Sequence, residues 1–256
     1  MISISTILSP LLQLWYLLPI IIIVVFFRTP WGKGIIGEFL VNIAAKLKLN
    51  KDEYHLIKNV TLHTEDGTTQ IDHIIVSEYG IFVVETKNMK GWIFGNEKQK
   101  FWTQKIYKHS NKFQNPLHQN YKHLKTIQNA LDIEQDKIFS IIVFIGDSRF
   151  KTKMPENVKQ GIGYIDYIKS KKQKIISKYE ASKIISQIES GRLSRSFKTH
   201  KDHIKHVKNI IEEKKHICPK CGSKLVLRTA NKGVNKGNQF YGCSNYPKCR
   251  YTTNNV

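Results

Sequence analysis

Residues 70–87 read Gln-Ile-Asp-His-Ile-Ile-Val-Ser-Glu-Tyr-Gly-Ile-Phe-Val-Val-Glu-Thr-Lys. Two β-branched runs flank Ser77-Glu78-Tyr79-Gly80, so the stretch predicts a hairpin of strands 70–76 and 81–87. With the turn centred between Glu78 and Tyr79, Val76 faces Ile81, Asp72 faces Glu85, and Gln70 faces Lys87. Alternation along each strand puts these polar groups on one face beside Ile74, Val76, Ile81 and Val83. Two carboxylates placed opposite each other repel and destabilise a sheet. A divalent cation removes that penalty. Mg²⁺ (or Mn²⁺) suits a few carboxylates, retained water and a substrate phosphate. Lys87 is placed to position a water or to stabilise charge on a phosphorus centre. The competing reading is a solvated polar face with a cross-strand Glu–Lys pair.

Outward from the hairpin, residues 34–49 carry a helical apolar period, and 54–63 read as a strand. A turn is expected at Glu65-Asp66-Gly67, another at Phe94-Gly95-Asn96, and a strand at 100–107. Residues 115–131 predict a helix with Pro116 in its first turn. Lys137–Ile145 is apolar enough for a strand buried on both faces. Residues 151–174 are Lys-rich and poorly periodic. Helices are expected at 179–189 and 198–215.

The motifs Gly37-Glu38, Gln70-Ile71-Asp72-His73, Tyr79-Gly80-Ile81-Phe82, Glu85-Thr86-Lys87-Asn88, Gly91, Trp102, Asn115-Pro116 and Gln119-Asn120 resemble the nuclease-related domain (NERD). That family is similar in its core to the PD-(D/E)XK nucleases. The resemblance covers roughly residues 34–145. It implies a restriction-endonuclease-like mixed α/β sheet flanked by helices. It also implies that Asp72 and Glu85 hold the catalytic Mg²⁺ or Mn²⁺, that Lys87 is the lysine of the Glu-x-Lys element, that Glu38 is an additional acid, and that Gln70 positions water or metal. Alternation turns His73 to the opposite face, a packing position.

The four cysteines of the chain all lie near its end: Cys218-x2-Cys221, 21 residues, then Cys243-x5-Cys249. Two close pairs of thiolates form a closed tetrahedral Zn²⁺ site, one structural ion per chain. Residues 217–256 contain no acid and seven cations, Lys220, Lys224, Arg228, Lys232, Lys236, Lys248 and Arg250. Phe240, Tyr241, Tyr246 and Tyr251 are interleaved with them. Cations plus stacking rings are the usual recipe for single-stranded nucleic acid, although some of these rings are expected in the ribbon's small core. The pattern resembles the C-terminal zinc ribbons of type IA topoisomerases, which implies single-stranded DNA as a partner. A formal charge of +21, from 41 Lys and Arg against 20 acids, agrees with a polyanionic partner. The basic run with His200, His203 and His206 reads as a solvated face.

Residues 2–27 contain no Asp, Glu, Lys, Arg or His. The densest part, Leu11–Phe27, is long enough to anchor in a bilayer as a helix, with Trp15, Tyr16 and Trp31 near the interfaces. A cleaved signal peptide fits less well, because no basic start and no small-residue cleavage site is present. Arg28, Lys33, Lys46, Lys48 and Lys51 follow the span and no Lys or Arg precedes it. The positive-inside rule then gives an inner-membrane protein with its N-terminus outside and the rest in the cytoplasm. The expected organisation is an anchor (1–31), a nuclease-related domain (32–150), a basic, partly helical extension and linker (151–215) and a zinc ribbon (216–256). Two functions are consistent with it: a membrane-anchored, metal-dependent DNA nuclease, or a non-catalytic, membrane-tethered DNA-binding protein on the same fold.

Overall fold

A computed structural model describes residues 17–64, 67–193, 216–230 and 236–254. They form two compact units, one running to Leu193 and one built around the cysteines. The first begins with two helices, α1 (Leu18–Arg28) and α2 (Pro30–Lys48). Next come strands β1 (Tyr54–Thr64), β2 (Gly67–Ser77), β3 (Gly80–Asn88), β4 (Gly91–Phe94), β5 (Phe101–Ile106) and β6 (His109–Gln114). Helix α3 (Pro116–Leu131), strands β7 (Ile138–Ile145), β8 (Ser148–Phe150) and β9 (Val158–Gln160), and helices α4 (Gly163–Ser170) and α5 (Lys178–Gly191) complete it.

The main sheet has the order β1-β2-β3-β7-β9. Strands β2 and β3 are antiparallel, while β7 runs parallel to both β3 and β9. The hairpin has the predicted register, with Val76 opposite Ile81 and His73 opposite Val84. Gly80 makes the tight turn possible: its φ is +130°, and a Cβ there would sit 2.6 Å from the Phe139 ring. Ile74, Val76, Ile81 and Val83 meet α3 and α5 through Ile127, Ala181, Ile184 and Ile188 on one face of the sheet. Ile75, Phe82 and Val84 meet α2 and α4 through Val41, Ala45, Tyr164 and Ile165 on the other. Both faces are covered, which is why β3 and β7 are apolar without alternation.

A second sheet, β6-β5-β4-β8, packs its inner side as Ile93, Trp102, Phe113 and Phe150. Strand β6 was absent from the sequence reading. It is a polar strand paired to β5 alone, and all of its residues except Phe113 are exposed, so no apolar period marks it. The Lys-rich stretch from 151, read as an extension, contributes β9 and α4 to this unit. Tyr164, Ile165 and Ile168 are buried, and the Tyr164 hydroxyl donates to the Val41 carbonyl at 2.7 Å. The helix has 8 residues, with Lys169 exposed near its end, and is too short for three apolar residues to show a period.

No single helix among the described residues is long and apolar enough to cross a membrane. The α1–α2 pair passes that test together, bent by 80°. The front of the expected anchor, residues 1–16, and the expected helix 198–215 lie outside the described residues, as do Glu65, Asp66 and Lys232.

The second unit is a three-stranded antiparallel sheet of β10 (Leu225–Thr229), β11 (Gln239–Cys243) and β12 (Thr252–Thr253). Its core is Cys218, Leu225, Cys243 and Cys249, with Tyr241 and Tyr251 against them.

Candidate active site and zinc centre

The β2–β3 ladder is paired from Ser77/Gly80 to His73/Val84. Beyond that point Asp72 bonds through its side chain: Oδ2 accepts the Thr86 backbone N–H at 2.8 Å. Glu85 is 3% exposed and lies beside Ile142 of β7. Its Oε1 accepts from Lys87 Nζ at 2.6 Å, and Lys87 Nζ also donates to Gln119 Oε1 at 2.8 Å. Its Oε2 lies 3.3 Å from His123 Nε2. The other imidazole nitrogen of His123, Nδ1, is 2.9 Å from the Thr69 hydroxyl.

Helix α3 is placed by two asparagines. Asn115 caps it by accepting the Leu117 N–H, while its own amide donates to Asn96, Glu97 and Gln99 carbonyls. Buried Asn120 donates to the Val83 carbonyl at 2.9 Å and to Ser140 Oγ at 2.8 Å. One helical turn links Gln119 to His123, so fixing α3 against β3 and β7 delivers both to the Glu85–Lys87 pair. The sequence reading quoted Gln119-Asn120 without assigning a role and missed His123. The available signal was the four-residue spacing of Gln119 and His123 in a helix capped by Asn115.

Glu38 comes from α2 on the other face. Gly37 permits the approach, because a Cβ there would lie 2.9 Å from Asn88 Cβ at the end of β3. Glu38 is felt electrostatically by Asp72, and Glu85 by both. Gln70 sits two residues before Asp72, half-buried, with no hydrogen bond to Asp72, Glu85 or Lys87. His73 is buried on the α2 side, where burial pushes its pKa down to about 4 and keeps the ring neutral.

Burial, then the charges of Glu85 and Glu38, hold the Asp72 carboxyl well above its usual range, against the pull of the Thr86 N–H and Lys87. Burial and Glu85 raise Glu38 as well. Burial would also raise Glu85, but Lys87 and His123 outweigh it and leave that carboxyl below its ordinary value. The chemistry of the donor set fits a divalent cation. Glu85 Oε2 is buried with the His123 ring nitrogen beside it at 3.3 Å, the Asp72 carboxylate has one backbone donor, at Oδ2, and burial with mutual repulsion raises the pKa values of Asp72 and Glu38.

In the second unit, Cys218 Sγ lies 3.7 Å from Cys249 Sγ, and Cys221 Sγ lies 3.3 Å from Cys243 Sγ. All four sulfurs fall within 4.8 Å of one another. A regular tetrahedron with Zn–S near 2.3 Å has edges of about 3.8 Å, so the thiols fit zinc. Backbone and side-chain hydrogen bonds with Ser223 push the Cys221 thiol down to about 6, while burial pushes Cys243 up to about 12. Among the described residues this is the group of three or more His, Cys, Asp or Glu with ligand atoms so close together.

A concave surface beside it is lined by Arg228, Phe240, Tyr246, Arg250 and Tyr251. Tyr246 is 58% exposed, with the Arg228 guanidinium 5.6 Å from its ring centroid. Lys220, Lys224, Lys236 and Lys248 are exposed. Tyr241 and Tyr251 are half-buried and pack against the core around the cysteines.

The model of the nuclease-related domain matches residues 33–145, and that of the topoisomerase DNA binding C4 zinc finger matches residues 215–255. An uncharacterized protein of Bacillus anthracis is 53% identical over 102 residues, covering 40% of this chain and 48% of that protein. DNA topoisomerase 1 of Methanocaldococcus jannaschii is 60% identical over 42 residues, 16% of this chain and 5% of the enzyme. DNA topoisomerase 1 of Helicobacter pylori is 45% identical over 49 residues, 17% and 6% respectively. The chain thus spans less than half the length of each of these relatives. A solved protein of unknown function aligns with 68% of this chain and 98% of its own at a TM-score of 0.30 and 12% identity. Two separate regions of the chain thus match known domains, residues 33–145 the nuclease-related domain and residues 215–255 the topoisomerase-type C4 zinc finger.

Proposed function

We infer that this protein is a membrane-anchored, metal-dependent nuclease that hydrolyses phosphodiester bonds in DNA captured by its zinc ribbon. The observation that carries the reading is the opening of the β2–β3 ladder at Asp72, beside buried Glu85 with Lys87 at 2.6 Å and Glu38 from α2. A helix before three strands, followed by a helix and a parallel strand, supports a restriction-endonuclease-like core. Asp72 and Glu85 would hold Mg²⁺ or Mn²⁺, with Glu38 as a further acid and Gln70 near the water. The metal supplies Lewis-acid polarisation of the phosphate and a more acidic bound water. Lys87, held by Glu85 and Gln119, keeps its ammonium aimed at the place where charge develops on phosphorus. His123 fixes the orientation of Glu85.

The ribbon would hold one Zn²⁺ through Cys218, Cys221, Cys243 and Cys249, presenting Arg228, Phe240, Tyr246 and Arg250 to single-stranded DNA. The apolar stretch ending at Phe27 would anchor the chain in the inner membrane, with the N-terminus outside and the domains in the cytoplasm. A non-catalytic tether has one observation in its favour: Glu85 is already paired by Lys87 and His123. A cleavage assay decides between them. The full chain should cut single- or double-stranded DNA with Mg²⁺ or Mn²⁺ and not with EDTA, and Glu85→Gln should cut far more slowly. DNA binding without cleavage under any metal would leave the tether.

A further inference from the structure

Helix α2 has a second apolar side. Its core side, Gly37, Val41 and Ala45, packs on the sheet. Trp31, Ile35, Phe39, Ile43 and Leu47 recur every fourth residue away from that side, with Leu40 beside them, and all are exposed: Trp31 56%, Phe39 59%, Leu47 76%. A helix that is apolar nearly all round is ordinarily buried nearly all round. A continuous apolar stripe left in water marks a surface that something covers.

The corner leading into α2 identifies the cover. Helix α1 ends at Arg28, and α2 leaves it at 80°. The bend is built rather than frayed. Thr29 caps α2 by accepting the Gly32 N–H at 3.0 Å, Pro30 occupies its first turn, and the Trp31 ring packs edge-on against Phe26 at 5.1 Å. Gly32 lies so close to the end of α1 that a Cβ would be 2.3 Å from the Phe26 carbonyl oxygen. A span standing near the bilayer normal therefore sends α2 nearly parallel to the membrane plane. Arg28 and Lys33 flank the start of α2, Lys46 and Lys48 lie in its last turn, and a Trp begins the stripe. Cations with long stems and an indole are the residues of a lipid–water interface.

We propose that α2 lies in the cytoplasmic lipid interface, its Trp31–Leu47 stripe immersed at headgroup depth, so that the nuclease-related domain is seated on an anionic membrane surface through its own core helix. This rests on the reading of the preceding apolar stretch as a membrane anchor. Glu38 is carried by the same helix, so the carboxylate cluster would be held from the lipid by little more than a helix diameter, about 10 Å.

The test uses the full chain in nanodiscs of phosphatidylethanolamine and phosphatidylglycerol, with a fluorescent amino acid replacing Ile23, Phe39 or Lys183 in turn. Lipids spin-labelled near the headgroup or deep in the acyl chain act as quenchers. The expected result is loss of fluorescence at position 23 mainly with the deep label, at 39 mainly with the shallow label, and at 183 with neither. Quenching at 23 with none at 39 overturns the proposal while the anchor stands; intermolecular energy transfer at 39 in that case identifies a second copy as the cover. No quenching at 23 overturns the anchor reading, and the proposal with it.

Discussion

The two candidate metal centres are built on opposite plans. In the ribbon, four thiols close to within 4.8 Å in a small sheet whose buried core is mainly the cysteines themselves. In the nuclease-related domain, Asp72, Glu85 and Glu38 come from three different elements and raise one another's cost of ionisation, with Glu85 held by Lys87 and His123. The first arrangement has no position for a substrate and every ligand tied to folding. The second stands in a core of its own, and its acids repel one another until a cation joins them. A closed site stabilises, whereas an open one reacts.

The largest expected effect lies in the ribbon. Structural zinc contributes on the order of 10 kcal/mol in small modules, so Cys243→Ser or a strong chelator should unfold 216–254 and leave the first unit folded. Backbone NMR of the full chain in detergent micelles would show ribbon resonances collapsing selectively; loss of both units together would break the contrast. Next comes Glu85→Gln, which keeps the shape and removes the charge. Cleavage should fall by about 10³-fold or more, roughly 4 kcal/mol of transition-state stabilisation, with DNA affinity little changed because the ribbon's cations remain.

His123→Ala should act more mildly, lowering cleavage or Mg²⁺ affinity by about 10- to 100-fold, as expected for a group that orients a ligand. A Mg²⁺ titration of activity distinguishes this from loss of fold, since high metal should rescue part of the rate. The smallest effect is on stability. Asp72 and Glu38 have raised pKa values, so their protonated forms favour the folded state. That contribution is complete below the ordinary carboxylate pKa and is lost as pH rises through the raised values. Glu85, with its lowered pKa, contributes in the opposite sense and loses its share only in stronger acid. In EDTA the melting temperature should therefore decline as pH rises from the carboxylate range toward neutrality. Asp72→Asn should blunt that decline by about 1 kcal/mol, roughly 2–4 °C for a domain of this size, and Mg²⁺ should erase the advantage. A flat profile in both proteins would mean that the acids do not strain the metal-free fold.

Legibility followed the range of the interactions. Strand alternation and a short turn are local, so the hairpin register from Ser77/Gly80 to His73/Val84 could be read along the chain, while the expected pairings of Asp72 with Glu85 and Gln70 with Lys87 lie beyond the end of the ladder. Cysteine spacing is equally local. His123 was hidden because nothing in the helix 116–131 says which strand it will cross; its part is settled by Asn120 reaching Val83 and Ser140. Helix α4 was hidden by its shortness within a Lys-rich stretch, and β6 by being polar almost throughout.

The sequence alone determined the strand pair with its polar end, the four-cysteine spacing, and the apolar stretch before a basic flank. Each depends on periods of two or 3.6 residues, or on composition within a short window. Only the tertiary structure decided that Asp72 turns to the Thr86 N–H, that His123 and Gln119 close on Glu85 and Lys87, that Tyr241 and Tyr251 pack on the ribbon core, and that α2 keeps an uncovered apolar side. These depend on contacts between residues far apart in the chain, and packing, which is cooperative and has no period, chooses among them.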